Sequence, residues 1–147
     1  MGETRELLIL VVLAFILGAA ALLISVGIPA LIEGDLAITR YQATLQDDGT
    51  FTEVYTYEVK SGGQYRMLYR YWDDPLSSRP QNSPYIEFVG MEAPPGTVGY
   101  MKDASGSVVL AGEDNSEYRA FVRSMAEPSE VGIYKPDYFP AGTYTVS

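Results

Sequence analysis

The stretch GGQYRMLYRYWDD, residues 62–74, gathers four aromatic side chains and two arginines within residues 65–72. Aromatic rings interleaved with cations are typical of a nucleic-acid platform, a sugar-binding surface or an ordinary β-strand. Trp72, beside Tyr71 and followed after a loop by Tyr85, is the best candidate for a ligand or partner contact, since an exposed indole stacks well on sugars and side chains. The alternative, which the sequence favours, is that Trp72 closes one end of the core.

Acidic side chains adjoin one another at three places, and two carboxylates can hydrolyse glycosides across a cleft or bind calcium. Neighbouring acids in turns rich in glycine, proline or asparagine more often cap the turn, and none here has the spacing of a calcium-binding loop. We therefore predict no metal site and no cofactor. The acidic groups are Asp47-Asp48, Asp73-Asp74 and Glu113-Asp114-Asn115, and the weak calcium candidates among them are Asp73, Asp74, Glu113 and Asp114.

The sequence contains no cysteine and no histidine. This excludes disulfides, thiolate ligands, most metal-ligand sets and every nucleophile–histidine arrangement. There is no G-x-S-x-G motif and no glycine-rich phosphate loop before a helix, and Ser105-Gly106-Ser107 is typical of a hairpin turn. We expect the protein not to be an enzyme.

Residues 33–147 carry nine basic and seventeen acidic side chains, hence a net charge of −8. Nucleic-acid binding depends on basic side chains that displace counterions from phosphates, so this balance argues against a nucleic-acid partner. It also argues against attachment to anionic lipid headgroups.

A run of 26 residues without a charge, 7–32, follows a short N-terminal tail of residues 1–6. At ~1.5 Å per residue a helix of this length reaches ~39 Å, more than the ~30 Å hydrocarbon core of a bilayer. We predict an uncleaved signal anchor and a single-pass protein of the cell membrane. A cleaved signal peptide, with Ala19–Ala21 imitating a cleavage site, is the alternative. The charges flanking the run are almost balanced, and we expect the large C-terminal part on the extracytoplasmic side.

Residues 33–147 are predicted to form an all-β domain, an antiparallel β-sandwich of seven to nine strands. Tyr, Val, Thr and Phe dominate this region, and turn residues recur every eight to twelve positions. Residues 116–126 fit either a helix, through the spacing of Tyr118, Phe121, Val122 and Met125, or a strand. The predicted strands are 36–46, 51–60, 65–72, 85–92, 97–103, 107–111, 118–124, 130–135 and 142–147.

The alternation of apolar residues predicts the register of two hairpins. With 47–49 as a loop, Leu45 faces Phe51 and Tyr41 faces Tyr55. With 61–63 as a second loop, in which Gly63 is left-handed, Tyr57 faces Met67. These hairpins together predict a three-stranded meander whose aromatic side chains, Tyr55, Tyr57 and Tyr69 among them, lie in the core.

Three stretches, DDGTFTEVYTYEV (47–59), GGQYRMLYRYWDDPL (62–76) and YKPDYFPAGTYTVS (134–147), resemble the extracytoplasmic domain of the DUF2207-type predicted membrane proteins. The resemblance implies a β-rich outer domain after an apolar N-terminal segment, with further membrane helices and a low-complexity tail in typical members. It implies a strand at 118–124 and no established activity. The residues at family positions are Gly49, Gly63, Arg70, Gly142 and Tyr144, and Gly49, Gly63 and Gly142 are expected to be structural turn residues.

We expect a non-catalytic, membrane-anchored surface or envelope module of an archaeon or bacterium. Its partners would be the bilayer, through residues 7–32, and a protein or further domains of the same chain. One alternative is a subunit of a pilin- or archaellum-like filament or its stator, with Gly18 and Ala19–Ala21 as a helix-packing face. Another alternative is a calcium- or glycan-binding module.

Overall fold

The computed structural model describes residues 11–21, 34–112 and 114–147, and the chain divides into two compact units, Met1–Asp35 and Leu36–Ser147. In the first unit residues 11–21 are helical (α1), and all of their side chains are exposed. Within the described ranges, neither helix has both the length and the apolar character needed to cross a bilayer. The predicted membrane helix, residues 7–32, lies partly outside the described residues.

The second unit is mostly β, with antiparallel sheets, as its sequence predicts. The strands are β1 Leu36–Leu45, β2 Phe51–Val59, β3 Met67–Tyr71, β4 Leu76–Ser77, β5 Ile86–Glu87, β6 Val98–Lys102, β7 Val108–Ala111, β8 Glu130–Tyr134 and β9 Gly142–Val146. Sheet 1 has the strand order β1-β2-β9, sheet 2 has the order β3-β8-β6-β7, and β4 and β5 form a short parallel pair. The predicted strand 85–92 is wrong except at Ile86–Glu87, which pairs with Leu76–Ser77, outside every predicted strand.

Strands β1 and β2 form the hairpin whose register the apolar alternation predicts. Leu45 lies opposite Phe51, and Tyr41 lies opposite Tyr55. Local hydrogen bonds form the turn, because the Asp48 carboxylate accepts the Thr50 N–H at 2.8 Å and the Gln46 N–H donates to the Thr50 carbonyl at 2.8 Å. Gly49 has a φ of 87°, a left-handed conformation that a side chain disfavours.

The predicted second hairpin, and with it the three-stranded meander, is wrong. Tyr57 of β2 lies opposite Tyr144 of β9, whereas Met67 of β3 lies opposite Tyr134 of β8. Gly63 is left-handed, with a φ of 83°, but the loop containing it carries the chain from one sheet to the other. A strand with alternating apolar residues can pair equally well with the next strand in the chain or with a distant one. Local patterning therefore does not distinguish a hairpin from a crossing between sheets.

The core lies between the inner faces of the two sheets. Tyr57 is 5% exposed and Phe139 fully buried, and burying each such side chain stabilises the fold by about 1.5–3 kcal/mol. The Phe139 ring packs edge-on against Tyr144, with 4.8 Å between centroids. The buried residues of this core are Tyr57, Val59, Leu68, Ile133, Phe139 and Val146, which come from both sheets and the loop before β9.

Residues Ser116–Met125 form a helix, α2, so the strand that the resemblance implies at 118–124 is wrong. The Asn115 side chain caps the helix by accepting the N–H groups of Glu117 and Tyr118, at 2.9 and 3.2 Å. Spacing of three and four residues puts the apolar side chains on one face. This face covers the side of sheet 2 that points away from sheet 1 and builds a second cluster from Tyr100, Val108, Val122, Ala126 and Tyr134.

Replacing Asn115 by alanine is expected to lower the free energy of unfolding by about 1 kcal/mol, because two N–H groups of the first helical turn lose their acceptor. Urea unfolding followed by circular dichroism measures the change. Asn115→Asp is the matched control, since aspartate caps a helix about as well, and it should leave the midpoint nearly unchanged. Equal stability of the alanine variant would contradict the capping role.

Candidate functional site

A cleft of about 740 Å³ opens between sheet 1, sheet 2 and the segment 85–92. Alternation along the strands determines its walls, since every second residue of β2 and of β3 points into the space between the sheets. Glu53 and Tyr55 enter it from β2, whereas Arg70 and Trp72 enter it from β3 and the position after it. Tyr85 lines it from the third side. Side chains from both sheets and from the segment 85–92 therefore form the walls of the cleft.

An ion pair between Glu53 and Arg70 joins the two sheets across the cleft. Glu53 Oε1 accepts hydrogen bonds from three groups: the Arg70 guanidinium, the Tyr41 hydroxyl at 2.7 Å and the Tyr55 hydroxyl at 2.8 Å. Arg70 also donates to the Tyr55 hydroxyl. Charge-assisted hydrogen bonds are stronger than neutral ones, so this network holds the two sheets together where they line the cleft.

The Arg70 guanidinium lies over the Trp72 ring, with its central carbon 3.5 Å from the ring centroid. A cation over an indole face is attracted by the quadrupole of the ring. Phe51 packs edge-on against Trp72, with 6.5 Å between centroids. Trp72 is half-buried and lines the cleft, and it is not among the residues packed against the core cluster.

The hydroxyls of Tyr55 and Tyr57 stay protonated in the physiological pH range. Burial and the hydrogen bond to Glu53 raise the pKa of Tyr55, and burial raises the pKa of Tyr57 to about 12. These groups therefore remain hydrogen-bond donors. Four carboxylates and one guanidinium line the cleft, which gives it an acidic balance; the carboxylates are Asp48, Glu53, Glu87 and Glu92.

Two of the three predicted contact residues, Trp72 and Tyr85, line the cleft, and the third does not. Tyr71 is 61% exposed and points to the opposite face of sheet 2. Tyr69, on that same face, is 50% exposed, so the prediction that it lies in the core is wrong. Tyr69 and Tyr71 are exposed because α2 covers only part of this face of sheet 2. Met67, two residues before Tyr69 on the same face, packs against the cluster under α2, whereas Tyr69 and Tyr71 do not.

The weak calcium candidates do not come together in the described residues. Asp73 and Asp74 are exposed in the loop after β3, and Asp114 pairs with Arg119 at 2.6 Å. Glu113 lies outside the described residues. In the described ranges no three acidic side chains converge in a way that could hold a metal ion.

The network of Glu53, Arg70 and Tyr41 is the part of the site that sequence reasoning missed. A signal for it exists in FTEVYTYEV, where Glu53 falls in register with Phe51 and Tyr55 on the face predicted to be buried. A carboxylate in an otherwise apolar register requires a charged or hydrogen-bonding partner. The sequence does not show which cation provides it, because β2 and β3 do not pair.

The fold and the site define a small domain of two antiparallel sheets and one packed helix, with an aromatic and acidic cleft between the sheets. The chain belongs to the family of predicted membrane proteins DUF2207, whose N-terminal domain matches residues 37–147. The resemblance inferred from the three sequence stretches is thereby confirmed. No curated protein and no solved structure matches the chain.

Proposed function

We propose that residues 36–147 are a non-catalytic binding module of a membrane protein and that the cleft holds a segment of a partner protein. The observation that carries the proposal is the aromatic floor of the cleft, in which Arg70 orients the indole of Trp72. Tryptophan, tyrosine and arginine contribute most of the binding energy in many protein interfaces. The cleft presents all three residue types, with Tyr85 completing the set.

The chemistry of Glu53 supports binding rather than catalysis. One of its oxygens accepts three hydrogen bonds, and one of the donors is a guanidinium. A general base needs a carboxylate that is free to take a proton from a substrate. Glu53 is instead held as the acceptor of a network that keeps the walls of the cleft in place.

The partner segment is proposed to be basic. Four carboxylates and one guanidinium line the cleft, and Glu53 already neutralises the guanidinium. The whole sequence carries a net charge of −9, which favours encounter with cationic partners and disfavours anionic ones. Lysine and arginine side chains are also attracted to the faces of tyrosine and tryptophan rings.

The uncharged residues 7–32 and the family's description as membrane proteins support the location of the module. We propose that residues 7–32 anchor the chain in the cell membrane as a single span and that the domain lies on the extracytoplasmic side. Accessibility of a cysteine introduced in place of Ser105 to a membrane-impermeant maleimide tests the side. The native sequence has no cysteine, so any labelling comes from the introduced thiol.

Trp72 is the one tryptophan of the sequence, so its fluorescence reports directly on the cleft. We expect a change in emission when the full chain, in neutral detergent, binds members of a peptide library rich in lysine and arginine. A library rich in aspartate and glutamate should give no change. Preference for the acidic library, or turnover of peptide, ester or glycan substrates, would refute the proposal; a response to neutral oligosaccharides alone would support the glycan alternative instead.

The cleft itself is tested with two tyrosine variants. Tyr85→Ala removes a cleft wall and is expected to weaken binding of a basic peptide by about tenfold, as expected for the loss of an aromatic contact. Tyr71→Ala removes the same side chain from the opposite face of sheet 2 and should leave the affinity unchanged. Equal losses in the two variants would place the binding surface elsewhere.

A further inference from the structure

Strand β1 is an edge of sheet 1, and in the described part of the chain it pairs only with β2. Its ten residues are exposed from Ile38 onwards, with Ile38 55% and Leu45 72% exposed. Both side chains lie on the same face of sheet 1 as Tyr57, which is part of the core. The edge therefore leaves apolar side chains and backbone groups open to a further strand.

The direction of the free backbone groups follows from the hairpin. The Gln46 N–H donates to the Thr50 carbonyl across the turn, so Gln46 turns its backbone groups towards β2. Hydrogen-bonded and non-hydrogen-bonded pairs alternate along an antiparallel ladder. Tyr41, Ala43 and Leu45 consequently direct their N–H and C=O groups outwards, away from β2.

This edge lacks most of the features by which soluble proteins block edge-to-edge pairing, such as lysines, prolines and inward-pointing charges. The sequence of β1 is LAITRYQATL, in which Arg40 is the one charged residue. A shift in register between Ile38 and Arg40 marks a bulge, and beyond it the pairing with β2 is regular as far as Leu45. The segment YQATL is thus regular, uncharged and open.

We propose that β1 pairs with β1 of a second copy of this chain, antiparallel, about a two-fold axis through Ala43. Tyr41 of each copy then faces Leu45 of the other, and Gln42 faces Thr44. Apolar side chains meet on one face and polar ones on the other, as a stable register requires. In this register the outward N–H and C=O groups of Tyr41, Ala43 and Leu45 form hydrogen bonds with the same groups of the second copy. The two three-stranded sheets thereby become one six-stranded sheet.

Charge complementarity favours a copy of the chain over an unrelated strand. In this register Arg40 of one chain lies opposite Gln46 of the other, next to the turn that carries Asp47 and Asp48, and the two-fold axis creates this arrangement twice. A long side chain can reach past the residue directly opposite it. The chain is acidic overall, so two copies repel over most of their surface. The uncharged segment YQATL of β1 is flanked by Arg40 before it and by Asp47 and Asp48 in the turn after it.

The proposal is tested with the full chain in neutral detergent. Ala43→Cys is expected to cross-link two chains on oxidation, because the two-fold axis puts the Ala43 positions opposite one another. Thr44→Cys is the matched control on the same strand, since its two copies lie diagonally at about 7–8 Å, beyond the reach of an unstrained disulfide. Cross-linking of both variants alike, or of neither, would overturn the register.

Two further variants separate pairing through β1 from association through the apolar N-terminal segment. Ala43→Pro removes an outward N–H without touching the ladder to β2, and Ala43→Lys puts like charges opposite one another. Each is expected to weaken self-association by about tenfold or more in sedimentation measurements, since both hydrogen bonds at the axis are lost in the proline variant. A wild-type monomer at all concentrations, or a dimer that neither variant weakens, would overturn the proposal. The Trp72 response to basic peptides should persist in both variants.

Discussion

Replacing Gly132 by alanine is expected to destabilise the domain by about 3 kcal/mol, because a Cβ atom there has no room. An ideal Cβ at Gly132 would lie 2.6 Å from the Leu68 carbonyl oxygen, 2.7 Å from the Tyr69 Cβ and 2.8 Å from the Tyr100 hydroxyl. The first contact is with backbone, which cannot rotate away as a side chain can. Strand β8 would have to separate from β3 to admit the methyl group.

Urea unfolding at neutral pH measures the loss, and Gly90→Ala provides the control. Gly90 has open space around the position of a Cβ atom, so its replacement should change the free energy of unfolding by less than about 0.5 kcal/mol. A Gly132→Ala variant as stable as the Gly90→Ala variant would show that sheet 2 can spread without cost. Because Tyr100 needs the space beside Gly132, loss of stability should be accompanied by altered near-ultraviolet circular dichroism.

Replacing Glu130 by alanine is expected to lower the free energy of unfolding by about 2–4 kcal/mol. Glu130 is 1% exposed and lies in sheet 2, where it accepts the Tyr100 hydroxyl at 2.5 Å and the Glu127 N–H at 2.9 Å. Tyr100 is fully buried, so its hydroxyl would lose its acceptor with no water at hand. Chemical unfolding of the variant checks the loss, and wild-type stability would contradict it.

Glu130 also gives stability a dependence on pH. Burial raises the pKa of Glu130 above its usual 4.5, so the folded state binds a proton more tightly than the unfolded chain does. The stabilisation is therefore fully present below pH 4.5 and is lost as the pH rises through the raised pKa of the folded state. Glu130→Gln should flatten this part of the stability curve, because glutamine carries no charge; its oxygen can accept the Glu127 N–H, while its NH2 group can donate to the Tyr100 hydroxyl oxygen. An unchanged pH dependence in the glutamine variant would refute the assignment to Glu130.

Local patterning predicted the β1–β2 hairpin because its partners are adjacent in the chain. An alternating pattern, a short loop and Gly49 together specify both strands and their register. The same reasoning failed at the next loop, since β2 finds its second neighbour in β9, more than eighty residues later. Strand Met67–Tyr71 likewise joins β8. Alternation shows which residues share a face, but it carries no information on which distant strand will cover that face.

The helix α2 and the cleft also show which features local sequence can predict and which depend on distant partners. The helical spacing of residues 116–126 was visible in the sequence, but the choice between helix and strand depended on the apolar face of sheet 2 that the helix covers. Trp72 and Tyr85 were visible as candidates, whereas the pairing of Glu53 with Arg70 was not. An ion pair between two sheets forms only where the sheets stack, and stacking is a property of the whole chain.

The sequence by itself determined the β-rich class, the net negative charge, the apolar N-terminal run, the first hairpin and the family. These properties depend on composition and on neighbours within a few residues, where local sterics and side-chain alternation act directly. Tertiary structure alone decided the order of the strands, which tyrosines are buried, and where Glu53 meets Arg70. These depend on contacts between residues far apart in the chain, and such contacts are selected by the combined burial of every face rather than by any one segment.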